Sequence, residues 1–245
     1  MTRGRPVRIA HAYGNRRDRL AQALSADVDM IEADVWFTGG EVHIRHEHRL
    51  GRLPLLVDRR SRSMPVIGPW ALPLPRDYFL RPELSPFRLG RLLDTVDGRK
   101  SVLIDVKGNQ TTNAAAFAAE IVRHVQERGA ARWTAVCGHW RVMDAIREAA
   151  IGVDVRYTIE SPARLERYLQ RLFAGRASPA VCAYHALLDQ PAMRVLQERG
   201  VDVYAWTVDD EQRASALLEL GVSGVTSNDL DLLARLGNDA GSSRA

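Results

Sequence analysis

The 245-residue sequence predicts a single-domain α/β protein folded as a (β/α)8 TIM barrel. Eight apolar, strand-like runs alternate with helical patterns, and roughly 250 residues is the usual length of such a barrel. The alternative is an open doubly wound sheet. No glycine-rich phosphate loop follows the first strand, which disfavours the dinucleotide-binding form of that fold. The barrel domain is predicted to cover residues 1–236.

The elements follow from short apolar runs for strands and from apolar residues three or four apart for helices. A short extra strand, 42–46, comes after the Gly39-Gly40 turn and alternates apolar and polar residues. The predicted barrel strands, in order, are 7–11, 29–35, 102–106, 133–138, 153–158, 180–184, 202–206 and 222–226. The predicted helices are 15–26, 87–96, 112–128, 140–149, 161–173, 189–199, 210–219 and 228–236.

One long segment interrupts the alternation. Residues 47–86 contain seven prolines and scattered aromatic residues. Long loops in compact domains are usually functional, so this insertion is predicted to lie over the barrel mouth and to select the substrate. Residues 237–245 are small and polar and are predicted to form a disordered tail.

Composition excludes several classes of protein. The net charge of +4 is spread along the chain, and no basic run with interleaved aromatic residues indicates nucleic-acid binding. No stretch approaches the ~20 apolar residues that span a bilayer, and the N-terminus lacks the apolar core of a signal peptide, so a cytoplasmic location is expected. Cys137 and Cys182 lie in apolar runs and are predicted to be buried thiols, with a disulfide between them as the alternative.

The most informative motif is Glu32-Ala33-Asp34, which lies in a predicted strand. Residues i and i+2 of a strand point to the same face, so the two carboxylates converge. Asp105 and Lys107 share one face near the end of a later strand. Carboxylates gathered at strand ends fit a site at the mouth of a parallel barrel, and their oxygens suit one divalent cation, Mg²⁺ or Ca²⁺.

Two histidines flank this motif. His11 ends the first strand and His46 ends the short extra strand, so both are candidates for general acid and base, without a decision as to which is which. His48 is the alternative to His46, whereas His43 is interpreted as structural. Further polar residues follow later strands and are candidates either for substrate contact or for capping and packing: His139, Trp140, Glu160, Tyr184 and His185.

In this order and spacing, the motifs resemble those of the glycerophosphodiester phosphodiesterase family over almost the whole chain. The resemblance is carried by His11, Glu32-Ala33-Asp34, His46-Glu47, Asp105-Val106-Lys107, Trp206-Thr207-Val208 and Gly221-Val222-Ser223-Gly224. It implies that Glu32, Asp34 and Asp105 bind the metal and that His11 and His46 are the catalytic pair. It also implies that Lys107 contacts phosphate or the metal-binding carboxylates and that Trp206 lines the substrate pocket.

The chain departs from the family pattern at three places. Ala12 stands where the family has an arginine, Asp105 replaces the usual glutamate, and Glu47 replaces an aspartate. The turn without arginine and the Asp-x-Lys strand also resemble the sphingomyelinase D-like phospholipases of the same superfamily.

The expected function is metal-dependent hydrolysis of glycerophosphodiesters or lysophospholipids. Two alternatives stay open: a phospholipase D-like lyase that forms a cyclic phosphate, and a catalytically silent barrel that binds a phosphorylated ligand. The head group and the oligomeric state are not indicated by the sequence.

Overall fold

A ring of parallel strands surrounds the core of the protein in its computed structural model, which describes residues 5–46, 57–59, 75, 78–80 and 87–242. Nine strands occupy the eight positions of the ring, because the fifth position is divided between two short strands. This confirms the predicted single-domain (β/α)8 barrel.

The elements of the barrel alternate as predicted. The strands and helices are β1 (Val7–Ala10), α1 (Arg17–Ser25), β2 (Met30–Thr38), β3 (Glu41–Ile44), β4 (Val57–Arg59), β5 (Tyr78–Leu80), β6 (Phe87–Arg88), α2 (Leu89–Val96), β7 (Ser101–Val106), α3 (Ala114–Glu127), β8 (Thr134–Gly138), α4 (Trp140–Glu148), β9 (Asp154–Val155), β10 (Tyr157–Ile159), α5 (Pro162–Phe173), β11 (Ala180–Tyr184), α6 (Gln190–Glu198), β12 (Asp202–Trp206), α7 (Glu211–Glu219), β13 (Gly224–Ser227) and α8 (Leu230–Ser242). The order around the barrel is β1, β2, β7, β8, β9 with β10, β11, β12 and β13, and β13 pairs with β1.

The division of the fifth barrel strand occurs at Arg156. Its backbone N–H donates to the Val136 carbonyl on β8. β9 pairs with β8, and β10 pairs with β11. The chain therefore passes from one neighbour to the other at this residue, and the single strand predicted for 153–158 appears as two short ones.

Side chains alternate between the inside and the outside of the barrel. A small apolar cluster fills the inside and contains Ile9, Met30, Leu103, Ala135, Cys137, Cys182 and Tyr204. A larger cluster packs the outside of the strands against the helices. Residues two positions after the inner ones also point inward, which directs Glu32, Asp34 and Asp105 to the interior at the carboxyl ends of their strands.

Several predicted boundaries differ in the structure, and three of the differences change the interpretation of a segment. The segment predicted as helix 87–96 begins with the strand β6, which pairs with β3, and only then becomes α2. The short strand predicted to reach His46 ends at Ile44. The last helix was predicted to end at residue 236 but continues to Ser242, so residues 237–242 are helical.

Most of the proline-rich insertion lies outside the described residues. Within it, β4 and β5 form a small antiparallel pair. The position of the insertion over the barrel mouth stays a prediction. Within the described part of the chain, no helix has the length and apolar character needed to cross a bilayer.

Candidate active site

Three carboxylates meet at the carboxyl ends of two neighbouring strands. β2 and β7 pair in parallel with Asp34 directly opposite Asp105, and Glu32 precedes Asp34 by two residues on the same face. One oxygen of each carboxylate lies within 4.8 Å of the others. Glu32 and Asp34 are buried, and Asp105 is partly exposed. The strand register therefore gathers the three acids that the sequence singled out.

Lys107 is the cation that partly balances these acids. Its Nζ lies 2.7 Å from Asp34 Oδ1 and 2.5 Å from Asp105 Oδ2. Three carboxylates face this one ammonium, so two negative charges remain among these groups. Burial, followed by the charges of Asp34 and Asp105, raises the pKa of Glu32 well above its ordinary value. The raised pKa of Glu32 is therefore a consequence of its burial and of the unbalanced negative charge around it.

The pKa values of Asp34 and Lys107 are shifted in the directions expected for an ion pair. Burial by itself would raise the pKa of Asp34, but the charge of Lys107 holds that pKa well below its ordinary value. Burial would likewise lower the pKa of Lys107, and the surrounding carboxylates raise it instead. Both groups are therefore charged at neutral pH.

The donor set fits a hard divalent cation. Asp34 Oδ1 is buried, and no residue of the described chain gives it a hydrogen bond of good geometry, although the Lys107 ammonium is close. Buried carboxylates with unused acceptor capacity and surplus negative charge are costly without a cation. Oxygen ligands of this kind suit Mg²⁺ or Ca²⁺. The acidic triad could hold such an ion, and its identity is not defined by these residues.

Asn15 and Ala12 hold two of the carboxylates in place. The Asn15 amide donates to Asp34 Oδ2 at 2.6 Å, and its Oδ1 accepts the Asp34 backbone N–H at 2.8 Å. The backbone N–H of Ala12 donates to Glu32 Oε2 at 2.5 Å. Ala12 adopts the left-handed conformation, with φ of 58°. The turn without the family's arginine thus supplies a backbone donor to Glu32.

His11 is oriented by a chain of hydrogen bonds through Asn228 to Asp209. His11 Nδ1 lies 3.0 Å from Asn228 Oδ1, and Asn228 Nδ2 donates to Asp209 Oδ2 at 2.9 Å. Because the amide N–H₂ of Asn228 is directed to the Asp209 carboxylate, the amide oxygen must face the imidazole and accept a hydrogen bond from Nδ1–H of His11. The lone pair of neutral His11 is then on Nε2, which lies 4.0 Å from Glu32 Oε2. Burial also lowers the pKa of His11, which favours this neutral form.

A cavity of about 420 Å³ opens beside these groups. His11, His46, Glu32, Asp105, Lys107 and Trp206 all line it. The backbone carbonyl of His46 accepts a hydrogen bond from Trp36 Nε1 at 3.1 Å, which joins the segment after β3 to β2. The sequence-predicted residues therefore border one space, apart from Asp34, which lies beneath it.

Gly138 makes room for the Asp105 carboxylate. Its φ is +112°, and a Cβ there would lie 2.2 Å from the Val106 carbonyl oxygen and 2.7 Å from Asp105 Oδ1. Any side chain at this position would collide with a carboxylate of the acidic triad. The end of β8 is therefore shaped around the neighbouring site.

The structure also shows which of the remaining candidate residues line the cavity. His139 and Glu160 line the cavity, whereas Trp140, Tyr184 and His185 are not among its lining residues. His48 lies outside the described residues. Cys137 and Cys182 are free, buried thiols, as predicted, and both line the cavity.

Sequence reasoning missed three residues that support the site: Asn15, Asp209 and Asn228. Asn228 directly follows the last strand, and Asp209 lies three residues after Trp206. Both occupy the carboxyl edge where barrel sites are built, so their position was the available signal. Nothing in the local sequence indicated that they would meet His11.

A cluster of acids flanked by two histidines, at the carboxyl edge of a (β/α)8 barrel, defines this chain as a member of the barrel hydrolase class. The model of the glycerophosphoryl diester phosphodiesterase family matches residues 76–232. The chain therefore belongs to the glycerophosphoryl diester phosphodiesterase family, as the sequence motifs predicted. The family name denotes phosphoric diester hydrolases, the enzyme class expected from those motifs.

Individual relatives agree with this assignment. Glycerophosphodiester phosphodiesterase GDPD4 of Arabidopsis thaliana is 38% identical over 68 residues, which cover 28% of this chain and 21% of the plant protein. The Agrobacterium tumefaciens glycerophosphodiester phosphodiesterase structure has a TM-score of 0.65 at 17% identity, covering 94% of this chain and 99% of its own. An Oleispira antarctica phosphodiesterase solved with the product sn-glycerol-3-phosphate has a TM-score of 0.67 at 15% identity, covering 96% and 97%. At these identities the two structures support the fold.

Proposed function

We propose that the protein is a metal-dependent phosphodiesterase that hydrolyses glycerophosphodiesters or lysophospholipids. The observation that carries this proposal is the meeting of the acidic triad with His11 and His46 around one cavity. A phosphodiester is anionic and therefore a poor electrophile, so its hydrolysis needs both charge compensation and proton transfer. The site offers groups for each task. The sn-glycerol-3-phosphate in the Oleispira antarctica structure supports a substrate of this class.

Glu32, Asp34 and Asp105 would hold one divalent ion, Mg²⁺ or Ca²⁺. When bound, that ion would neutralise phosphate charge and polarise the phosphorus centre. Lys107 keeps Asp34 ionised and forms an ion pair with Asp105, and Asn15 and Ala12 keep the carboxylates of Asp34 and Glu32 oriented. Trp206 forms part of the wall against which the substrate packs.

His11 and His46 would move the protons. With Nδ1 bound to Asn228, His11 has its lone pair on Nε2, next to the cavity, where it can accept a proton from an attacking water. His46 would then give a proton to the departing alcohol oxygen. Each such transfer contributes about 10²–10⁴-fold to the rate.

A lyase that forms a cyclic phosphate is the second candidate. It is favoured by the backbone donor of Ala12 in place of an arginine and by the Asp105-Val106-Lys107 strand. The attacking group would then be a hydroxyl of the substrate itself, and His11 would take the proton from that hydroxyl. Phosphorus NMR distinguishes the two products, since a cyclic phosphodiester and a phosphomonoester differ in chemical shift.

The proposal is tested by turnover of glycerophosphocholine, glycerophosphoethanolamine and lysophosphatidylcholine after chelation and after addition of Mg²⁺ or Ca²⁺. We expect activity only with a metal, and Asp105→Asn should weaken metal binding measured by calorimetry. Asp231→Asn, on the exposed first turn of α8, is the matched control. Metal affinity of Asp105→Asn equal to wild type would remove Asp105 from the ligand set, and no turnover of any substrate would leave the silent barrel as the better account.

A further inference from the structure

One wall of the cavity is not used by the proposed chemistry. It is formed where β10 ends, at the barrel position opposite β1. Glu160 directly follows β10, and Arg164 lies in the first turn of α5. Both residues line the cavity, together with Thr158. A carboxylate and a guanidinium therefore border the ligand space across the barrel from His11.

These two charges are held side by side. Arg164 Nε lies 3.3 Å from Glu160 Oε1, and the guanidinium lies 5.1 Å from the centroid of the Trp140 ring. Trp140 is fixed in turn, because its Nε1 donates to the Thr158 carbonyl at 2.9 Å. The side chains of Arg164 and Glu160 are 40% and 46% exposed, so a ligand can reach both.

Charge balance decides what kind of group fits this wall. Lys107 is already bound to two carboxylates, whereas Arg164 is bound to one and makes no side-chain hydrogen bond to the part of the chain that the structure describes. A purely anionic group would be attracted by Arg164 and repelled by Glu160. A purely cationic group would be attracted by Glu160 and repelled by Arg164. A group that carries both charges can pair with both residues at once.

We propose that this wall binds a diester alcohol group that carries both an ammonium and a carboxylate, as serine does. The Arg164 guanidinium donates hydrogen bonds to the carboxylate of the head group, and the ammonium of the head group donates to the Glu160 carboxylate. Thr158 lines the cavity beside them. This assignment rests on the proposed phosphodiesterase function and names its preferred class of substrate.

The test compares kcat/KM for glycerophosphoserine, glycerophosphoethanolamine and glycerophosphocholine in the full chain with Mg²⁺ or Ca²⁺. We expect wild type to prefer the serine diester and Arg164→Gln to lose about tenfold or more on it, with about twofold or less on the other two. Glu160→Gln should lower kcat/KM for both the serine and the ethanolamine diesters, because both carry a primary ammonium. Arg167→Gln and Glu166→Gln remove the same charges from exposed positions of the same helix and should change nothing.

Two results would overturn the assignment. One is an equal loss on all three diesters in Arg164→Gln, which would make Arg164 a phosphate-binding or structural residue. The other is the absence of any preference for the serine diester in wild type. If wild type hydrolyses none of the diesters, the proposed function fails by itself. Calorimetric binding of glycerophosphoserine to wild type and Arg164→Gln then decides the inference, with equal affinities counting against it.

Discussion

The two ends of the barrel both bury charge, but they balance it differently. Near the amino end, the Arg8 side chain is only 1% exposed and forms hydrogen bonds to both carboxylate oxygens of Asp27 and of Asp29. Arg5 adds a second cation at 2.5 Å from Asp29. At the carboxyl end, three carboxylates lie together, and Lys107 is the one lysine or arginine of the described residues that forms an ion pair with any of them.

This difference separates an ion cluster whose charges cancel from one that we propose to be functional. In the Arg8 cluster, two arginines meet two aspartates, so the charges cancel without any ligand. In the acidic triad, negative charge remains and Asp34 Oδ1 accepts no hydrogen bond of good geometry from the described residues. A site whose negative charge is unbalanced among the described residues is one that a cation and an anionic substrate can complete.

The largest expected effect is on catalysis at the carboxyl end. His11→Ala and His46→Ala should each lower kcat by about 10²–10⁴-fold, because each removes one proton-transfer group, while circular dichroism and the melting temperature change little. His124→Gln, on helix α3, is the control and should retain full activity. Retention of more than about a tenth of wild-type kcat by either alanine variant would end its catalytic role.

At the amino end the effect should be on stability alone. Arg8→Leu leaves Asp27 and Asp29 without their main partner. The free energy of unfolding should fall by about 2–3 kcal/mol, less than for a fully buried pair because the Asp27 side chain is 61% exposed. Urea denaturation measures this change, with Arg5→Gln, an exposed partner of Asp29, expected to cost less than about 1 kcal/mol. A change in kcat per folded molecule of Arg8→Leu would contradict the separation of the two clusters.

Glu32→Gln should abolish turnover yet stabilise the metal-free protein. Burial and neighbouring carboxylates raise the pKa of Glu32 in the folded state, so the folded protein binds this proton more tightly than the unfolded chain does. Stability of the wild type should therefore fall as pH rises from about 4.5 through the raised folded pKa.

The Glu32→Gln variant has no ionisable group at this position, so its stability should not fall with pH for this reason. Its advantage over wild type, measured in the presence of a chelator, should grow with pH. Urea denaturation at several pH values measures it, with Glu198→Gln on the surface of α6 as the control. A metal-free Glu32→Gln protein less stable than wild type at pH 8 would show that the triad has no surplus charge to relieve.

The smallest expected effect concerns the orientation of His11. Asp209→Asn removes the acceptor that keeps the Asn228 N–H₂ turned away from His11, so the amide can rotate and favour the other imidazole tautomer. We expect about a fivefold to tenfold lower kcat with KM unchanged. Long-range ¹⁵N NMR of the histidines, with His11→Gln to assign the signal, should show a shift from Nδ1–H towards Nε2–H.

Asp210→Asn is the neighbouring control, since asparagine also caps a helix. Asp210 accepts the Arg213 N–H at the start of α7 and is exposed. Unchanged His11 signals in Asp209→Asn would mean that Asn228 is held by other contacts.

The sequence by itself determined the barrel, the acidic triad and the histidine pair. Alternation of short apolar runs with helical patterns predicts βα units, and right-handed closure of eight such units leaves few other folds. Glu32 and Asp34 had to share a face because strand residues two apart always do. These features are local or periodic, so they can be read without knowing which strands are neighbours.

Only the tertiary structure decided which groups complete the site. The Asp34–Asp105 pairing depends on the register of β2 against β7, and the contact of His11 with Asn228 joins residues 217 positions apart. The break at Arg156 arises because one strand must serve two neighbours around a closed ring. The cavity wall of Glu160 and Arg164 exists because β10 stands opposite β1. Distances of this kind are fixed by closure of the barrel and by packing, which no local pattern of residues encodes.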